Sequence, residues 1–147
     1  MKALQLLERC RALEHDLQAV ESKIQRYRES ATRVTSAIDG VGARGTAEPD
    51  KLVAIMAEID ELEREKAQRE REYAVEVSAA CKLLDKLPEI ESAVLNGYYI
   101  QAKALKLVAR NLNYSYGYVR AIKSNATARL DELPEAVVAS LLPAWYA

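Results

Sequence analysis

Ala104-Leu105-Lys106-Leu107-Val108-Ala109-Arg110-Asn111-Leu112-Asn113-Tyr114-Ser115-Tyr116-Gly117-Tyr118-Val119-Arg120-Ala121-Ile122-Lys123-Ser124-Asn125-Ala126 reads as two short amphipathic periods separated by a turn. Val108, Ala109 and Leu112 share one face of a helix, and Val119, Ile122, Ala126 and Leu130 share one face of the next. Asn113 suits the turn between them. Ser115 suits the N-cap of the second helix, where its hydroxyl accepts from an early backbone N–H. Small Ala109 lets the helices cross closely. With the apolar faces turned inward, Tyr116, Gly117, Arg120, Lys123, Ser124 and Thr127 face outward on a surface free of carboxylates. That is the surface a helix needs if it is to enter a major groove between phosphates.

Charge along the chain supports this reading. The net charge is only -1 at pH 7. From Gly97 to Leu130, however, there are six basic residues (Lys103, Lys106, Arg110, Arg120, Lys123 and Arg129) and no acidic one. The flanking segments are net negative. A confined basic module on an acidic carrier is the expected electrostatic footprint of a chain in which one module binds DNA.

Upstream the period changes. Leu6, Cys10, Leu13, Leu17, Val20, Ile24, Tyr27, Ala31, Val34 and Ile38 alternate steps of four and three, which predicts a long amphipathic helix. Asp39 to Asp50, with three Gly and one Pro, reads as a loop. A second long helix is predicted from about Asp50 to Lys86 on Leu52, Ile55, Ile59, Leu62, Tyr73, Ala80, Leu83 and Leu87. Its seam is interrupted by Lys66, Arg69 and Glu76. These helices can fold back as an antiparallel hairpin or pair with a second copy. Shorter helices come next, at about Pro88–Tyr99, Ala102–Leu112 and Ser115–Leu133, and Ala136–Leu142 suits a last one. The expected architecture is all-α: residues 1–86 form a helical hairpin or coiled coil for oligomerisation or partner binding, with a loop at 39–50. Residues 87–133 form a three-helix helix-turn-helix domain, and 134–147 a short tail.

Other classes find no support. There is no Gly-rich phosphate loop, no nucleophile beside a base and no carboxylate pair in a plausible pocket, so no enzyme and no cofactor are expected. Cys10 and Cys81 come without a CxxC or a Cys/His cluster, which points to a reducing cytoplasm and to no metal. No stretch is apolar enough to predict a membrane span or a leader. His15 falls on an outer seam position and is read as an exposed, ordinary side chain. Tyr98, Tyr99 and Trp145 are read as structural, Tyr114 as packed, and Tyr116 as a contact residue.

Over Leu83 to Leu133, the set Val94-Leu95, Tyr99-Ile100, Val108-Ala109, Leu112, Tyr114-Ser115-Tyr116, Val119, Ile122, Ala126 and Leu130 resembles region 4 of bacterial sigma factors. It is similar in particular to the small phage proteins of Gram-positive hosts that join this module to an N-terminal helical segment, the ArpU and RinA type late transcriptional regulators. The resemblance implies a phage or prophage transcriptional regulator in the bacterial cytoplasm. Its partner would be double-stranded DNA, with Ser115, Tyr116, Arg120 and Lys123 at or near it. Lys103, Lys106, Arg110 and Arg129 would neutralise the backbone. The N-terminal helices would make a homodimer or contact RNA polymerase or another regulator. The chain departs from the family at Leu105, Lys106 and Leu107, where aromatic and acidic residues are usual. It departs again at Gly117, which stands where a longer polar side chain is usual and weakens the helix by about 1 kcal/mol relative to Ala. Two other readings remain open: a DNA-packaging component like a small terminase subunit, and a helical scaffold or anti-regulator that binds no DNA.

Overall fold

The computed structural model describes residues 2–41 and 47–144. Among them there is no strand, and the order is α1 (Lys2–Val41), α2 (Ala47–Leu84), α3 (Glu89–Leu95), a π-helical turn (Asn96–Ile100), α4 (Leu105–Leu112), α5 (Tyr116–Glu132) and α6 (Glu135–Leu141). The loop expected over 39–50 is shorter than the Gly and Pro content suggested. The first helix runs on to Val41 and the second begins at Ala47, with residues 42–46 of that loop outside the described residues. Pro49 sits in the first turn of α2, where its missing N–H leaves no helical carbonyl without a donor.

The chain divides into two compact units. In Asp16–Glu70, α1 and α2 run antiparallel, since ascending positions on one meet descending positions on the other: Asp16 pairs with Arg69, Glu21 with Lys66 and Arg28 with Glu63. Its apolar seam is narrow, with Val20, Ile24 and Leu62 in one cluster and Val34 and Ile59 also buried. The seam interruptions at Lys66 and Arg69 are where α2 reaches carboxylates on α1, at 2.7 Å for Lys66–Glu21 and 3.1 Å for Arg69–Asp16.

The other unit joins Met1–His15 to Arg71–Ala147, so the division does not coincide with the boundary expected near residue 87. The reason is a continuous core. Leu6, Leu7 and Cys10 of α1 and Ala80, Leu83 and Leu84 of α2 are buried with Leu95, Tyr99, Ala126, Leu130 and Val138. Burying a Leu side chain is worth about 2 kcal/mol, so the first turns of α1 and the last of α2 belong energetically with the helices from α3 to α6. The expected tail is also built in, because Val138 of α6 joins this core and Leu141 and Leu142 pack against it. Glu76, the third seam interruption, is 1% exposed and pairs with Arg9. Trp145 lies outside the described residues.

The helix expected over Pro88–Tyr99 ends at Leu95 and continues as the π turn, and the next begins at Leu105 where Ala102 was expected. Packing sets this difference. A Cβ on Gly97 would stand 3.0 Å from one Val108 methyl and 3.2 Å from the other, so the π turn and α4 meet at glycine distance. Ala102 then takes φ 53° while buried, a left-handed conformation costly for a residue with a Cβ, and the chain turns out of the π segment into α4.

Candidate nucleic-acid interface

The turn between α4 and α5 forms as the residues dictate. Asn113 takes φ 60°, which its short polar side chain tolerates, and the Tyr114 N–H donates to the Ala109 carbonyl at 3.0 Å, closing α4. Ser115 is the N-cap of α5 and its hydroxyl accepts from the Tyr118 N–H at 3.2 Å. Val108, Ala109, Val119 and Ile122 are buried together with Val94 of α3, and Leu112 packs against them half-buried. Ala126 and Leu130 face the larger core. α5 therefore carries a continuous inner stripe shared between two clusters.

With that stripe inward, the helical period of 100° per residue orders the rest of α5. The outermost strip holds Gly117, Ala121, Ser124 and Ala128, all small and exposed. One flank holds Tyr116, Arg120, Lys123 and Thr127, and the other Tyr118, Asn125 and Arg129. Gly117 has open space where a Cβ would stand. A small outer strip lets the helix backbone come close to a groove floor while the longer flanking side chains reach its walls.

Three cations near this surface, Lys106, Arg120 and Lys123, rest on aromatic rings. Lys106 Nζ and Arg120 Cζ each lie 5.7 Å from the centroid of the Tyr116 ring, so α4 and α5 converge their charge on one side chain. Lys123 Nζ lies 4.7 Å from the Tyr98 ring and 5.7 Å from the Tyr99 ring. Such contacts orient a cation without neutralising it. Arg110 is exposed in the last turn of α4.

The remaining expected site residues are occupied within the fold. Arg129 donates to Glu91 at 2.9 Å and ties α5 to α3, although its side chain stays half exposed. The Thr127 hydroxyl donates to the Lys123 carbonyl at 2.9 Å. Lys103 is half-buried, and its carbonyl accepts from Arg11 at 3.1 Å. Ser115 serves the cap. The structure thus brings together Lys106, Tyr116, Arg120 and Lys123 beside the strip of Gly117 and Ser124. It assigns Arg129, Thr127 and Ser115 local structural bonds.

Two side chains of this region, Tyr114 and Arg11, stand otherwise than the sequence signals. Tyr114, expected to be packed, is 43% exposed and meets the Tyr118 ring at 5.0 Å, while Tyr116 and Tyr118 are 42% and 51% exposed. The αL turn at Asn113 carries Tyr114 outward. Tyr98 and Tyr99 meet edge-on at 4.8 Å, and burial pushes the Tyr99 hydroxyl above its ordinary pKa. Arg11 stacks on Tyr98 from a position with no local sequence signal. Among the described residues, no group of His, Cys, Asp and Glu is placed to hold a metal, and no helix is long and apolar enough to cross a membrane.

A capped helix with a small, acid-free outer strip, set behind an αL turn and crossed by α3 and α4, defines a helix-turn-helix unit. The sequence of this unit is similar to a known family: residues 83–132 match the model of Sigma-70, region 4. No curated protein and no solved structure matches the chain.

Proposed function

We propose that the chain is a DNA-binding regulator of transcription whose α5 enters the major groove of duplex DNA. The observation that carries this reading is the acid-free face on which Lys106, Arg120 and Lys123 are held over tyrosine rings and left positively charged. Arg120 and Ser124 stand closest to where base edges would lie. Lys106, Arg110 and Lys123 stand toward the phosphates, and Tyr116 packs between Lys106 and Arg120 at the groove wall. The match to sigma region 4 supports the same role for α5.

The finer reading is a regulator of phage or prophage origin, working in the bacterial cytoplasm and without a catalytic step. What supports it is the likeness of the Tyr114-Ser115-Tyr116 turn and its neighbouring apolar positions to the ArpU and RinA type regulators. The long α1 and α2 supply a surface for a second copy, RNA polymerase or another regulator. Dimerisation would set two copies of α5 on successive half-sites and raise affinity through proximity.

The test is fluorescence anisotropy with duplex DNA at two salt concentrations. If about four to six phosphates are neutralised, log K falls against log salt with a slope of roughly -3 to -6. Replacing Arg120 and Lys123 by Ala weakens that binding. A chain that binds no duplex at low salt is not a DNA-binding regulator, and α1 and α2 then become the functional surface of a protein-binding scaffold.

A further inference from the structure

We propose that Arg11, on α1 and outside the segment similar to sigma region 4, is a positioning residue that sets Lys123 of α5 toward DNA by holding Tyr98. The proposal rests on the duplex reading above and adds to it a residue that the helix-turn-helix does not itself contain.

The segment from Asn96 to Ala104 carries both Tyr98 and the strained Ala102, and consists of the π turn (Asn96–Ile100) and the connection to α4, with no α-helix in it. Side chains from α1 and α2 hold it. Arg11 donates to the Tyr98 carbonyl and, at 3.1 Å, to the Lys103 carbonyl. The Tyr73 hydroxyl donates to the Ile100 carbonyl at 2.7 Å. Burial is the main cause that pushes this hydroxyl above its ordinary pKa, so it remains a donor.

Arg11 also lies with its guanidinium carbon 4.0 Å from the Tyr98 ring centroid, and Lys123 Nζ lies 4.7 Å from the same centroid. A planar guanidinium can stack on a ring and still donate from its edge to two carbonyls, which a point-like ammonium cannot do. Arg11 therefore fixes both the backbone and the ring of Tyr98, and the ring fixes the end of a side chain that is otherwise free over four carbons. The edge-on contact with buried Tyr99 completes the seat. Without Arg11 the ring keeps only its packing on Tyr99 and the core, and Lys123 loses its direction. Lys103, whose carbonyl shares the clamp, loosens with it.

The experiment is a double-mutant cycle on the full chain. Duplex binding is measured for wild type, Arg11→Ala, Lys123→Ala and the double variant at two salt concentrations, beside thermal unfolding. Arg11→Ala is expected to weaken binding by about three- to tenfold and to flatten the salt slope by about one phosphate contact, ~0.9 in log units. In the Lys123→Ala background the same change should alter affinity less than twofold. Arg11→Lys should restore only part of the loss. A loss of equal size in both backgrounds would mean that Arg11 merely supports the fold, and wild-type affinity in Arg11→Ala would also overturn the proposal.

A second measurement needs no DNA. The Lys123 side-chain methylenes should show upfield NMR shifts from the Tyr98 ring, lost in Arg11→Ala and kept in Tyr73→Phe, which removes the hydroxyl's bonds to Ile100 and Glu14 and leaves the Arg11 contact with Tyr98 in place. Unshifted methylenes in wild type would refute the positioning. Shifted methylenes in a wild type that binds no duplex would instead refute the duplex reading and leave the clamp standing.

Discussion

Positive charge is treated in opposite ways along the Asp16–Glu70 helices and on the outward face of α4 and α5, although Arg9 and Arg129 of the second unit are themselves paired with Glu76 and Glu91. Between Asp16 and Glu70, cations meet carboxylates: Arg28 meets Glu63 at 2.7 Å, Lys66 meets Glu21 at 2.7 Å, and Arg69 meets Asp16 at 3.1 Å and Glu65 at 2.9 Å. On the outward face of α4 and α5 three cations lie on tyrosine rings, Lys106 and Arg120 over Tyr116 and Lys123 over Tyr98. An ion pair neutralises a charge and settles register, whereas a ring orients the charge and leaves its field intact. The same residue types thus specify pairing of helices in one unit and present a positive potential in the other. The net charge of the chain conceals this difference.

The sharpest way to break that contrast is to remove equal charge from each side. Replacing Lys106, Arg120 and Lys123 by Ala is expected to lower duplex affinity at low salt by about a hundredfold or more. The log–log salt slope should flatten by roughly 1.8, at ~0.9 for each of the two phosphates that Lys106 and Lys123 face. Replacing Arg28, Lys66 and Arg69 by Ala takes away the same charge and should leave both quantities near wild type. It should cost only about 1–2 kcal/mol of stability, because exposed pairs contribute a few tenths to 1 kcal/mol each. Equal loss of DNA affinity in the two triple variants would show that binding depends on net charge and not on the placement of α5.

Gly97→Val probes the scaffold beneath this face. The two branch carbons would enter space already held by the Val108 methyls 3.0 and 3.2 Å from the Cβ position, and α4 must shift. A destabilisation of about 2–3 kcal/mol is expected from such overpacking, read by chemical denaturation. Hydrogen exchange should show the loss spread across α3, α4 and α5, with the Asp16–Glu70 ladder of pairs unaffected. An unchanged midpoint would mean that the contact relaxes easily.

The close approach at Gly97 is also a measure of how far local sequence reaches. The cap at Ser115, the turn at Asn113 and the inner stripe Val108, Ala109, Val119, Ile122, Ala126 and Leu130 were readable, because caps, turns and the 3.6-residue period act within a few residues. The seam breaks at Lys66, Arg69 and Glu76 were visible as breaks. Their carboxylate and guanidinium partners lie on α1, 45 to 67 residues away, and no local signal names them. The π turn, the strained Ala102 and the clamp by Arg11 were hidden for the same reason, since each arises where tertiary contact overrides local preference. The expected boundary near residue 87 lies where the long helical periods give way to short ones, while the core that joins Leu6, Leu83 and Leu130 ignores it.

Alkaline titration should separate the units more gently. Burial, aided by Glu76, pushes the Cys10 thiol from 9.0 up to about 12. A group whose pKa is raised on folding stabilises fully below its unfolded value and loses that contribution as pH rises through the folded one. Between pH 9.0 and about 12 the unfolded chain therefore gives up a proton that the folded chain keeps. Stability should fall there by up to about 1.4 kcal/mol per pH unit from this thiol. Cys10→Ala should be less stable at pH 7 and visibly flatter above pH 9. In the Asp16–Glu70 unit the Glu21 carboxylate raises the Lys66 pKa, so that pair persists through the start of this range. If alkylation reaches Cys10 in the native chain at pH 8 as fast as in the unfolded chain, the burial argument fails.

The smallest expected effect falls at the outermost point of α5. Gly117 is helical and exposed and has nothing within 4 Å of a Cβ, so Gly117→Ala meets no clash and removes conformational freedom from the unfolded chain. A gain of about 0.5–1 kcal/mol is expected, seen as a rise of a few degrees in Tm. Affinity for duplex should stay within twofold, since a methyl fits where helix and groove first approach. Gly117→Leu, almost as good a helix former, should keep most of the stability gain and lose at least tenfold in affinity, because its side chain holds the backbone away from the groove floor. The pair of variants separates two orientations of the helix that the charge experiments leave together. If Gly117→Leu binds as well as Gly117→Ala, α5 approaches DNA through the flank of Tyr116 and Arg120, and the strip of small residues faces solvent.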